Sequence, residues 1–162
     1  MVDIYVNDDL FIPDFAFRAA TPFDNVPAEV NLNIGVAPGN SSGPEDIIAD
    51  FDVTLADNQT YVVIANGVLD PMMFADNPDG LNVGFSLYPM DNIVESAGMD
   101  MVKVIGFHGA TDAPAVDIYP LYTDLSYGEY SEYAEVPADV YTLEIRPSGC
   151  APRGRPSRTC VS

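Results

Sequence analysis

The sequence predicts an all-β protein built as an antiparallel sandwich, and three observations carry that prediction. Apolar and polar residues alternate with a period of two in short runs, the signature of strands with one buried face. Fourteen Pro and twelve Gly are scattered without a period, which makes them turn punctuation between strands. Nine Tyr and eight Phe, with many Val and Ile, are side chains that fit a pleated, half-buried surface. No window keeps the three-and-four spacing that a helix needs over 10 to 12 residues.

The elements follow in order. Val2 to Val6 alternates as a strand and ends in the turn Asn7-Asp8-Asp9. Phe11 to Phe17 reads as a second strand interrupted at Pro13, and residues 30 to 36, Val-Asn-Leu-Asn-Ile-Gly-Val, form the cleanest alternation in the chain. Pro38 to Pro44 is loop chemistry, after which Ile47 to Leu55 resumes the strand pattern and Thr60 to Ala65 follows, closed by Asn66-Gly67. Residues 68 to 82 read as a connection with the turn Asn77-Pro78-Asp79-Gly80. Phe85 to Tyr88 and Val102 to Phe107 are strands flanking the acidic loop Asp91 to Asp100, and Val116 to Tyr119 and Tyr141 to Ile145 complete the set.

Two motifs recur in the same order. Val2-Asp3-Ile4-Tyr5 returns as Val116-Asp117-Ile118-Tyr119, 114 positions on, and Val26-Pro27-Ala28-Glu29-Val30 returns as Val136-Pro137-Ala138-Asp139-Val140, 110 positions on. The copies therefore differ by four residues between the two motifs. Asn31 to Gly39 and Tyr141 to Gly149 follow with a one-residue slip in phase. A period near 110 residues is the size of one sandwich domain.

Charge restricts the partners. Twenty-five acidic against six basic residues give a formal charge of −19, which repels a phosphate backbone, so nucleic acid is excluded as a partner. Arg153, Arg155 and Arg158 lie in the tail, leaving residues 1 to 149 at −22. Such a surface fits adaptation to high salt or the holding of divalent cations, since dense carboxylates require screening. No stretch of about 18 apolar residues predicts a transmembrane segment. The chain opens directly on a strand with no basic n-region, which reads as a truncated start. Cys150 and Cys160 are the only cysteines, and whether they pair is open at this stage.

The run Val102-Lys-Val-Ile-Gly-Phe-His-Gly-Ala-Thr-Asp-Ala-Pro-Ala-Val-Asp-Ile-Tyr119, then Leu125-Ser126-Tyr127-Gly128, Val136-Pro137-Ala138 and Tyr141-Thr142-Leu143, resembles the DUF4397 family. That resemblance implies tandem immunoglobulin-like β-sandwich repeats of secreted or cell-surface prokaryotic proteins, with no established activity. It divides the chain into a first copy over 1–90 lacking its lead-in strand, a second over 91–149 lacking its second half, and a basic Cys/Pro/Arg tail over 150–162, read as irregular. A sandwich missing strands exposes edges. The expected remedy is that strand 102 to 107 serves copy one, with strand exchange from another chain as the alternative.

The candidate residues are few. His108 is the only histidine; beside Asp112 and Asp117 it offers a base for a hydrolase, although a ring that fixes its turn is the better expectation. Asp3 and Asp117 hold one motif position in both copies and read as outward-facing or turn-bonding. Tyr122, Tyr127, Tyr130 and Tyr133, interleaved with Asp124, Glu129 and Glu132, offer rigid amphipathic contact area for protein or carbohydrate, with His108 among them. Asp76 and Asp79 are oxygen donors for a Ca²⁺ site, though without EF-hand spacing. There is no Walker loop, no Gly-x-Ser-x-Gly and no Cys-x-x-Cys. The function expected is non-catalytic: an extracytoplasmic binding, adhesion or envelope-structural module needing no cofactor, with a calcium-stabilised stalk repeat and the His108 hydrolase as alternatives.

Overall fold

The computed structural model describes residues 1–94 and 96–150. The protein is all-β: its sheets are antiparallel and do not close into a barrel, the sandwich class that the alternation predicts. It divides into two compact units, Met1–Thr60 and the chain from Tyr61 onward.

The first unit is one sheet. Strand β1 (Val2–Val6) is flanked by β2 (Asp9–Phe15) and β3 (Asn31–Pro38), and β4 (Ala49–Thr54) pairs on the far side of β3. Asn7 and Asp8 both take positive φ, 51° and 68°, the geometry a tight hairpin demands and one that Asn and Asp tolerate. Leu32, Val36, Ala37 and Tyr5 form the core, each less than 5% exposed. At Gly35 a Cβ would come within 2.5 Å of the Ile47 side chain, so glycine there is what lets Ile47 lie against the sheet.

Among the described residues the second unit holds three sheets. Strands β5 (Val62–Asn66) and β6 (Ser86–Met90) pair with each other, β7 (Met101–Val104) pairs with β10 (Ala134–Pro137), and β8 (Val116–Tyr119) lies between β9 (Tyr122–Leu125) and β11 (Glu144–Pro147). Repeat boundaries follow sequence and compact units follow packing, so β5 and β6 group here with the strands after them.

The internal repeat is visible in the ladders. Val2 lies opposite Pro38 as Val116 lies opposite Pro147, and each central strand forms a hairpin with its successor. Asp3 Oδ1 accepts the Asp14 N–H at 2.8 Å, and Asp117 Oδ1 accepts the Asp124 N–H at 2.8 Å. Asp14 and Asp124 both have positive φ, 53° and 57°, at matching irregularities of the hairpin. They lie 110 residues apart, which confines the four-residue difference to the first hairpin.

Two expectations need correction. Strand β7 does not supply copy one with its lead-in: Val102 and Val104 lie opposite Val136 and Ala134 of their own copy. A partner about 30 residues away costs less closure entropy than one roughly 75 away. Residues 19 to 27, copy one's segment around Val26-Pro27, accordingly form no strand. The last strand also starts at Glu144 instead of Tyr141: the chain bends at 138–139 after β10, and the Tyr141 hydroxyl donates back to the Pro137 carbonyl at 2.8 Å.

Candidate functional site

His108 follows the isolated bridge between Phe107 and Tyr130, and its own backbone continues that pairing. Its N–H donates to Glu129 O, and its carbonyl accepts from Gly128 N. The side chain is buried, 5% exposed. Nδ1 accepts the Ala110 N–H at 3.3 Å, which leaves the proton on Nε2 to donate to the Pro114 carbonyl at 2.9 Å. Both nitrogens therefore brace the 109–114 loop, as the turn-fixing expectation had it. Asp112 is exposed, and Asp117 lies on β8 bonded to Asp124 N–H. The three residues of the hydrolase alternative are not joined by a hydrogen bond to the imidazole among the described residues.

A second clamp holds the same loop from outside. Asn77 is 4% exposed; its Nδ2 donates to the carbonyls of Thr111 and Ala113, both at 3.1 Å, while Oδ1 accepts from Asp79 N and Leu81 N. Asp79 Oδ2 accepts the Ala115 N–H at 2.6 Å. Asp76 is exposed. Asp79 thus binds a backbone amide, and among the described residues no group of three or more His, Cys, Asp or Glu converges to hold a metal ion.

The four tyrosines separate by depth. Tyr127 is buried, edge-on to Tyr88 and to His108, with its hydroxyl accepting from Asn66 Nδ2 at 3.2 Å. Burial, and then the neighbouring Tyr88 hydroxyl, push its pKa up to about 12. Gly128 beside it has φ +81°, and a Cβ there would meet the Tyr88 ring at 2.7 Å; only glycine satisfies both conditions. Tyr122, Tyr130 and Tyr133 instead line an open groove of about 420 Å³ along the outer edge of β9, together with Asp124, Glu129 and Glu132.

Their hydroxyls are held from behind: Tyr122 donates to Val104 O at 2.6 Å, Tyr130 donates to Tyr88 O at 2.7 Å, and Tyr133 accepts from Val94 N at 3.2 Å. Burial raises the Tyr130 pKa. Glu129 accepts from Ser126 N and Asp124 from the Ser148 hydroxyl. The result is a groove of fixed aromatic rings rimmed by carboxylates, capable of stacking and of attracting positive charge.

Sequence reasoning missed Asn66, Asn77 and Tyr88, which organise the buried side of the site. Asn77 was visible as a turn residue in an oxygen-rich loop, since nothing local distinguishes an amide that turns its own backbone from one that clamps a loop 34 residues away. The tail beyond Cys150, including Cys160 and the question of its pairing, lies outside the described residues.

In comparisons with known proteins, the family DUF4397, a domain of unknown function, matches residues 1–119. No curated protein and no solved structure matches the chain.

Proposed function

The chain belongs to the DUF4397 family, and from that premise we propose that it is a non-catalytic binding module of the cell surface or extracellular space, taking its ligand in the tyrosine groove along β9. The observation that carries this reading is the joint placement of Tyr122, Tyr130 and Tyr133 with Asp124, Glu129 and Glu132 around one opening. Rings whose hydroxyls are already bonded lose little entropy when a ligand covers them. The carboxylates and the charge of −19 select a ligand that is basic or neutral, such as a Lys- or Arg-bearing protein segment or a carbohydrate, and steer it by long-range attraction. His108 supports the non-catalytic part of the reading, because both of its nitrogens serve the loop. The extracytoplasmic part rests on the acidic composition and on the company the resemblance implies. No helix among the described residues is long and apolar enough to cross a membrane.

The test is a panel of short basic peptides and of glycans titrated against the isotope-labelled protein. Binders are expected to shift the resonances of Tyr122, Tyr130 and Tyr133, and Glu132→Lys is expected to weaken a basic binder by about tenfold, the loss of roughly one favourable charge contact. Shifts confined to other surfaces, or turnover of a panel member, would overturn the reading.

A further inference from the structure

Among the described residues no strand pairs with the outer edge of β11, whereas the equivalent edge of copy one is covered by β4. Strand β3 stands to β1 as β11 stands to β8, with Pro38 and Pro147 in the same register. By that register Val36 corresponds to Ile145 and Ile34 to Leu143. Val36 and Ile34 lie opposite Ala49 and Phe51 of β4, and Val36 is 2% exposed. Ile145 is 72% exposed and Leu143 48%, and among the described residues β11 ends its sheet.

The backbone points the same way. In an antiparallel ladder the N–H and C=O of one residue face one side, and the sides alternate. Val36 O accepts from Ile48 N, so Val36 faces β4. Gly39 N donates to Met1 O in copy one and Ser148 N donates to Ala115 O in copy two, so alternate residues of both strands face inward in the same phase. Within β11, Ile145 therefore directs its backbone groups out of the sheet, beside its own exposed side chain and that of Leu143, the residue just before the strand. The sequence that follows has Pro152 and Pro156 and no alternating apolar run, so it does not repeat the pattern of β4.

We propose that the outer edge of β11 is a strand-acceptor site, which takes from a separate polypeptide an extended antiparallel strand with the alternating apolar pattern of β4. Main-chain hydrogen bonds to Ile145 and Leu143 supply affinity, and apolar side chains at alternate positions cover Ile145 as Ala49 and Phe51 flank Val36 and Ile34. Copy one shows the occupied form of this edge, which fixes direction and register. The site is distinct from the groove, which lies along β9 on the other side of β8.

The probe is a synthetic peptide with the sequence of residues 47 to 56, Ile-Ile-Ala-Asp-Phe-Asp-Val-Thr-Leu-Ala, added to the full chain and followed by amide hydrogen exchange. Protection of the Ile145 and Leu143 amides is expected to rise by about tenfold or more at saturation. The same peptide N-methylated at the residues corresponding to Ala49, Phe51 and Val53 is expected to give no protection. Ile145→Pro removes only an outward N–H, so it is expected to abolish peptide binding while the Glu144 and Arg146 amides, which face β8, stay protected. If that variant loses those amides as well, the N-methylated peptide alone decides. Equal binding of a scrambled peptide, protection at another edge, or Ile145 protection that rises with protein concentration without peptide would each overturn the proposal, the last by making a second copy the occupant.

Discussion

The sheet around β1 and the sheet around β8 begin from the same four residues and finish in different surroundings. Tyr5 is 4% exposed and its counterpart Tyr119 is 48% exposed. Tyr5 hydrogen-bonds Ser41 Oγ at 2.8 Å, whereas Tyr119 lies under the Arg146 guanidinium, 5.2 Å from its ring centre. The hairpin clamp on the motif aspartate is the same in both, so the difference does not arise in the motif. It arises one strand further out, where β4 covers β3 and the loop before it carries Ser41 and Ile47 onto the sheet. Local sequence specifies the hairpin; the fourth strand converts it into a core.

The largest predicted effect follows from that contrast. Leu32→Ala in copy one is expected to cost about 2–5 kcal/mol, the range for a buried leucine whose cavity does not collapse. Ile145→Ala in copy two should stay within about 0.5 kcal/mol, as for an exposed position. Denaturant unfolding of both variants measures the pair, and comparable losses would mean that β11 is covered in solution.

Within the second unit, side-chain clamps hold the 109–115 loop that leads into β8. Asn77→Ala is expected to cost about 1–3 kcal/mol, since it leaves the Thr111 and Ala113 carbonyls without their amide donor. Exposed Asp76→Ala is expected to be near neutral. Faster hydrogen exchange at Ala115, whose amide Asp79 holds, would confirm that the turn is a structural clamp; stabilisation by Ca²⁺ that disappears in Asp76→Ala would contradict it.

Tyr127 gives a smaller effect that is specific to pH. Its hydroxyl ionises near 10.0 when unfolded and about 12 when folded, so the stability it confers is complete below the unfolded value and is lost as pH rises toward the folded one. Tyr127→Phe is therefore expected to flatten the loss of stability above about pH 10, measured by thermal unfolding in alkaline buffers. An unchanged alkaline limb would place the ring in contact with water.

Much of this arrangement was legible in the sequence because it is periodic. The alternation of Val2–Val6 and of residues 30 to 36 named two strands, the turn at Asn7-Asp8-Asp9 marked the end of the first, and the repeated Val-Asp-Ile-Tyr named the second copy. The groove was half legible: clustered tyrosines and carboxylates marked the region, but burial, which depends on partners far along the chain, sent Tyr127 inward and left Tyr122, Tyr130 and Tyr133 half-buried along the groove. The pairing of β7 with β10 was not legible, because the motif shows which strands exist and not which edge each will find.

The last contrast concerns the motif aspartate itself. Asp3 is 5% exposed, and its pKa lies below the usual 3.8, first because the Ser41 hydroxyl donates to it and next because the Asp14 amide does. A depressed carboxyl contributes stability that is present above the unfolded value and lost as pH falls through the folded one. The position corresponding to Ser41 in copy two is Cys150, so the serine hydroxyl that bonds Asp3 has no serine counterpart beside Asp117, which keeps the hairpin amide of Asp124. Ser41→Ala is therefore expected to raise the Asp3 pKa toward 3.8 and to shift the acid loss of stability to higher pH, read by carboxyl-carbon NMR titration. The hairpin should persist, because the Asp14 amide still binds Asp3 and the opposite ladder is untouched. If Asp3 titrates unchanged in Ser41→Ala, then the hairpin amide and not the serine holds the carboxylate, and copy one's aspartate differs from copy two's only in depth.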